Sequence, residues 1–212
     1  MTLSVTGLSL SRGSRPLFSG LSCRLEGGEA LVLRGANGSG KTSLLRVLAG
    51  LTAADEGELH WRGEKWTPLC MAQRASALYL GHINALKDEL TAAENLAEAL
   101  AFDGISAPRD EMREAMNRAG LAQRPDLAAR RLSQGQKRRI GLARLQLAKK
   151  PLWLLDEPTN ALDAEGVTYF SSLVEAHLRS GGLACIATHL ALDIHAPVKE
   201  MTLGGDEQDV SV

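Results

Sequence analysis

Ala30-Leu31-Val32-Leu33-Arg34 runs into Gly35-Ala36-Asn37-Gly38-Ser39-Gly40-Lys41-Thr42-Ser43, and Leu44-Leu45-Arg46-Val47-Leu48-Ala49-Gly50 follows without a break. The first segment is short, unbroken and apolar, as a strand buried on both faces should be. The last carries helical periodicity until Gly50 stops it. Between them, residues 35–42 satisfy G-x-x-x-x-G-K-[ST], whose glycines let backbone N–H groups curl around phosphates at a helix N-terminus. The candidate phosphate-binding residues are therefore Gly35, Ala36, Asn37, Gly38, Ser39, Gly40, Lys41, Thr42 and Ser43. Lys41 is expected to neutralise phosphate charge, and Thr42 to offer its hydroxyl to Mg²⁺.

A second chemical element lies downstream. Leu152-Trp153-Leu154-Leu155 reads as another buried strand and ends in Asp156-Glu157. Acids at the carboxyl end of a parallel strand stand at the edge where such sheets bind ligands. Asp156 is the expected Mg²⁺ holder, and Glu157 the group that orients or deprotonates the attacking water. Leu183-Ala184-Cys185-Ile186-Ala187 makes a further strand, and alternation of strands with helices predicts an α/β fold on a largely parallel sheet.

The rest of the chain is organised around this core. Residues 1–34 look like strands, with Leu3, Val5, Leu8 and Leu10 loosely alternating with Ser and Thr, and short strands return between Gly57 and Leu80. From about His82 to Arg139, alanine, leucine, methionine and charge at helical spacing take over, which predicts a helical subdomain over 83–140 inserted in a core of 1–82 and 141–212. Thr91-Ala92-Ala93-Glu94 and Ser133-Gln134-Gly135-Gln136 are capping boxes opening two of its helices. Residues 204–212 are acidic and expected to fray.

Composition narrows the function classes. The chain has 212 residues, 44% hydrophobic and 23% charged, with a net charge of -1, which suits one large folded domain and offers no argument for nucleic acid. No apolar run reaches the roughly 18 residues of a membrane helix, and no signal-peptide pattern opens the chain. Any membrane role is thus expected to pass through a partner. Cys23, Cys70 and Cys185 form no CxxC pair, and reduced thiols are expected.

Between the two chemical elements sits Leu132-Ser133-Gln134-Gly135-Gln136, followed by Lys137-Arg138-Arg139 and Leu142-Ala143-Arg144. With it the sequence resembles the ABC transporter ATPases along nearly its whole length, since this pentapeptide is similar to their signature. Asn160-Ala161-Leu162-Asp163 looks like their D-loop, and His189 matches their switch histidine beside Glu157 and Lys41 in the catalytic set. The resemblance implies a P-loop ABC-type core with N-terminal antiparallel strands and the inserted helical subdomain, making 1–212 a single nucleotide-binding domain. It implies ATP and Mg²⁺ as cofactors, and a homodimer in which the signature of one copy closes on the nucleotide of the other. A soluble ABC ATPase of DNA repair would need a second domain or a coiled-coil arm, and an unrelated P-loop kinase would leave Leu132–Gln136, Asn160–Asp163 and His189 without a role.

Within that superfamily, Leu17-Phe18-Ser19-Gly20-Leu21, Leu33 to Arg46, Tyr79-Leu80-Gly81-His82 and Leu142-Ala143-Arg144-Leu145 resemble the ATP-binding subunits of cytochrome c maturation complexes. This implies an integral membrane permease as partner and a peripheral place at the cytoplasmic face of the bacterial inner membrane, with ATP use linked to haem handling or release of a haem-loaded chaperone. A transporter for another cargo is the alternative.

Three departures from the family pattern stand out. His82, nine positions before Thr91, takes the usual Q-loop glutamine's place and is expected to couple the insertion to the active site. Arg12 stands near the usual adenine-stacking aromatic, as a stacking guanidinium or a solvated strand-end charge. Gln134 replaces a signature glycine. The cluster Arg130, Arg131, Lys137, Arg138 and Arg139 is expected to be solvated or to face phosphate.

Overall fold

The computed structural model describes residues 1–68, 70–71, 75–122, 125–204 and 210–211. Strands β1 (Thr2–Arg12), β2 (Arg15–Glu26), β4 (Glu56–Trp61) and β5 (Glu64–Lys65) form an antiparallel sheet of order β2-β1-β4-β5. The second sheet has the order β10-β9-β3-β8-β7-β6. It contains β3 (Ala30–Arg34), β6 (Ala77–Leu80), β7 (Leu152–Asp156), β8 (Leu183–Ala187), β9 (Val198–Thr202) and β10 (Val210–Ser211). All its pairings are parallel except β9 with β10, where Val210 stands opposite Met201. Of the acidic tail expected to fray, 205–209 and 212 lie outside the described residues, and 210–211 are paired.

The strand runs look unpatterned because both faces of the parallel sheet are covered. Leu152 and Leu154 of β7, with Leu183, Cys185 and Ala187 of β8, pack into a core shared with the antiparallel sheet and helix α1 (Lys41–Leu48). Trp153 and Leu155, with Ala184 and Ile186, face a second core built from helices α2 (Ala92–Phe102), α3 (Arg109–Arg118), α4 (Gln134–Ala148) and α5 (Ala164–Arg179). The period of two is therefore present, but each register position meets apolar partners.

Both capping boxes form. Thr91 Oγ1 accepts from Glu94 N at 3.2 Å while Glu94 Oε2 accepts from Thr91 N at 2.8 Å, which opens α2. Ser133 Oγ accepts from Gln136 N at 3.2 Å and Gln136 Oε1 from Ser133 N at 3.0 Å, which opens α4. Helix α4 ends at Ala148, with Lys149 as its C-cap in the left-handed region at φ 44°. No helix among the described residues is long and apolar enough to cross a membrane.

Candidate active site

The turn from β3 into α1 sets the phosphate loop. Gly35 has φ 131°, and a Cβ there would stand 2.3 Å from the Leu203 carbonyl oxygen, so only glycine fits. Gly40, at φ 104°, is the N-cap of α1 and brings no capping side chain, leaving the first-turn amides uncapped at the positive end of the helix. The Lys41 ammonium donates to the carbonyls of Gly35 at 2.6 Å and Ala36 at 3.0 Å. Ser39 Oγ is buried with no hydrogen-bond partner among the described residues, a free polar group inside the loop.

Around this loop opens a cleft of about 840 Å³. Its wall includes Asn37 to Ser43, His82, Asp156, Glu157, Asn160 and His189, with Leu10, Ser11, Arg12 and Leu17 at another part of its wall. Register brings these groups together: β7 lies beside β8 and β6, so residues at the carboxyl ends of three strands share one edge. Thr42 Oγ1 donates to Asp156 Oδ2 at 2.8 Å, and Asp156 is only 2% exposed. His189 Nε2 lies 3.2 Å from Glu157 Oε1. The loop carrying His189 is held by Arg34, whose Nη1 donates to the carbonyls of Thr188 and Leu190, both at 2.9 Å. Glu157 itself has φ 48°, unusual for a non-glycine residue at the end of a strand, and its N–H donates to the Ala187 carbonyl at 2.8 Å.

Leu132 to Gln136 do not line this cleft. Ser133 and Gln134 are exposed at the N-terminus of α4, whereas Leu132 is buried. Gly135 touches the D-loop: a Cβ there would stand 2.5 Å from the Ala161 carbonyl oxygen. Within that loop Asn160 reaches the cleft and Asp163 caps α5, accepting from Gly166 N at 2.9 Å and pairing with Arg139 Nη2 at 2.6 Å. These contacts hold the Asp163 carboxyl below the usual carboxylate range, the Gly166 N–H contributing most. Leu162 packs against the helical core.

The structure corrects one expectation. Arg138 and Arg139 are neither solvated nor facing phosphate; they are 2% and 9% exposed and engaged inside the protein. Arg139 Nη1 donates to the Ala119 carbonyl at 2.8 Å, and Arg138 reaches the backbone behind Asp156 and Glu157. Lys137 pairs with Asp88, while Arg130 and Arg131 stay exposed as expected. A signal was available: four and seven residues beyond Arg138 stand Leu142 and Leu145, both fully buried, so the arginine shares their apolar helical face.

Comparison with known proteins agrees with this geometry. A family profile described as "ABC transporter" matches residues 18–160. The "Cytochrome c biogenesis ATP-binding export protein CcmA" of Dechloromonas aromatica (strain RCB) is 47% identical over 203 residues, covering 95% of this chain and 100% of the relative. The protein of the same name from Rhodopseudomonas palustris (strain BisB5) is 47% identical over 205 residues, covering 96% and 98%. Among solved structures, a "Dimeric structure of a post-hydrolysis state of the ATP-binding cassette MJ0796 bound to ADP and Pi" superposes with a TM-score of 0.81 at 22% identity, covering 98% of each chain.

Proposed function

The chain belongs to the ABC transporter ATP-binding family, and on that premise we propose that it is the ATP-hydrolysing, energy-coupling subunit of a membrane complex for c-type cytochrome biogenesis. The family reaction is ATP hydrolysis to ADP and phosphate. One observation carries the assignment of roles: Thr42 bonded to Asp156, and Glu157 beside His189, all lie on the cleft that the phosphate loop opens.

In this reading the triphosphate lies along residues 35–43. The Lys41 ammonium exchanges the Gly35 and Ala36 carbonyls for phosphate oxygens, and the first-turn amides of α1 bind the rest. Thr42 and Asp156 are hard oxygen donors 2.8 Å apart, and they fit Mg²⁺, which takes one or two protein oxygens and completes its shell from water and phosphate. Mg²⁺, when bound, neutralises charge that builds on the phosphoryl oxygens. Glu157 orients and deprotonates the attacking water, and His189 Nε2, within 3.2 Å of that carboxylate, fixes its direction and faces the γ-phosphate.

The signature, lying outside the chain's own cleft, serves a second copy, whose nucleotide it closes from the other side. The membrane partner is an integral permease at the cytoplasmic face of the bacterial inner membrane, where this chain is peripheral. Exposed apolar side chains offer its contact: Ile83, 81% exposed next to His82, and Met71 and Phe102, each 84% exposed, which flank a groove of about 500 Å³. The cytochrome assignment rests on relatives that share that printed function over 95% of the chain.

Glu157→Gln tests the chemistry: the variant should bind ATP, accumulate as an ATP-bound dimer on size exclusion, and lose about 10²- to 10⁴-fold in hydrolysis. Parental turnover would remove Glu157 from the reaction. Deleting the gene and staining membranes for covalent haem tests the pathway; normal c-type cytochromes would leave a transporter of another cargo as the reading.

A further inference from the structure

Arg138, on the second turn of α4, lies behind the acids of the site without touching the cleft. A guanidinium has five N–H donors in one rigid plane, and burying it is tolerable only when they are all matched. Here they are matched by five bonds. Nε donates to the Pro158 carbonyl at 3.1 Å. Nη2 donates to the carbonyls of Asp156 at 2.7 Å and Glu157 at 2.6 Å. Nη1 donates to the Gly81 carbonyl at 2.8 Å and to Asn84 Oδ1 at 3.1 Å. Burial holds the pKa of Arg138 below its ordinary value, and the carboxylates of Asp156 and Glu157 oppose that shift.

Two loops are thus tied to one rigid fork. One turns the chain after β7 and holds Glu157 at φ 48°, a region where a non-glycine backbone persists only if its surroundings fix it. The other follows β6 and carries His82, half-buried, and Ile83, exposed. Force on Ile83 therefore reaches Gly81 and Asn84, and through Arg138 the backbone of Glu157.

We propose that Arg138 is a positioning residue that locks the backbone of Glu157 to the loop of Gly81–Asn84, so that displacement of that loop misaligns the hydrolytic carboxylate. The proposal rests on the reading that Glu157 performs the chemistry, and on no property of His82 itself. A lysine or glutamine in place of Arg138 cannot span both loops at once.

The test uses the full chain with Arg138→Lys, Asn84→Ala and the double variant. In hydrogen exchange, amides of 82–86 and of 157–162 should lose protection together in Arg138→Lys, while α1 keeps its own. In steady-state ATPase assays kcat should fall by up to about 10²-fold, the scale expected for misplacing a catalytic group by an ångström, with KM for ATP little changed. Asn84→Ala, which empties no core, should give a smaller fall in kcat, and the double variant should fall no further than Arg138→Lys alone. Independent responses of the two segments, additive effects on kcat, or losses that merely follow the melting temperature would overturn the proposal. Should Arg138→Lys fail to fold, an Asn84→Ala variant with parental kcat and unaltered exchange at 157–162 would overturn it as well. Parental activity in Glu157→Gln together with coupled exchange would instead locate the error in the role of Glu157.

Discussion

Gly135→Ala separates folding from catalysis at the signature. Alanine at a helical position is favoured over glycine by about 1 kcal/mol. Against that, the new methyl would lie 2.5 Å from the Ala161 carbonyl oxygen, so helix α4 or the D-loop must give way by about half an ångström to reach even 3.0 Å. Overpacking of this kind costs about 1–3 kcal/mol. The difference leaves a net destabilisation of about 0–2 kcal/mol, or a melting temperature lower by up to about 8 °C for a domain of this size. The effect on turnover should be much larger. If the N-terminus of α4 approaches a partner copy's triphosphate, displacing it weakens one preorganised donor, and removing such a donor costs on the order of 10²–10³ in kcat. ATPase rate at saturating Mg-ATP and a melting curve on the same sample measure both terms. Gln134→Gly, at the exposed neighbouring position, should hydrolyse close to the parental rate. A Gly135→Ala chain that melts as expected yet turns over at the parental rate would refute the assignment of residues 132–136 to a nucleotide.

Further outcomes follow from other contacts. Thr42→Ala removes the 2.8 Å bond to Asp156; because Thr42 is exposed, stability should fall by only about 1 kcal/mol, while half-maximal ATPase should require severalfold more Mg²⁺ in a titration. Burial lowers the pKa of His177, whose ring stacks on Trp153 at 3.9 Å and donates through Nε2 to the Leu183 carbonyl. The neutral ring's contribution is therefore full above the unfolded pKa of about 6.5 and is lost as pH falls towards the lower folded value. Melting curves from pH 7.5 to 5.5 should lose less stability in His177→Phe than in the parent; equal losses would clear His177. Phe102→Asp, at a side chain 84% exposed, should shift stability by no more than about 0.5 kcal/mol and leave the isolated ATPase intact, while cytochrome formation in cells drops. Normal cytochromes in that strain would move the partner's contact elsewhere.

The fold was legible where local chemistry decides it. A glycine loop between an apolar strand and a helix, and two capping boxes, mark boundaries that the backbone obeys because each satisfies or frees specific N–H and C=O groups. What was hidden is long-range. Leu152 and Trp153 read alike in sequence, yet one faces the antiparallel sheet and the other stacks on His177, and only the pairing of β7 with β8 assigns the faces. The two-residue β5 and the partner of β10 are likewise set by neighbours distant in the chain.

The site divides along the same line. Gly35 to Ser43 are contiguous, a loop running into the first turn of α1, so their spacing alone states the geometry. Asp156, Glu157 and His189 depend on parallel register for their meeting, and that register was inferable because each ends or follows a buried apolar strand. Arg138 escaped because three consecutive basic residues look like a solvated surface, whereas helical phase sends each to a different side: Lys137 to Asp88, Arg139 to Asp163, and Arg138 inward along the stripe of Leu142 and Leu145. A charge admitted to that stripe must find acceptors, and it finds them in the carbonyls at the ends of β6 and β7. The need to satisfy a buried guanidinium and the need to hold Glu157 off the strand line are thus met by the same five hydrogen bonds, which is why a change at either end should register at the other.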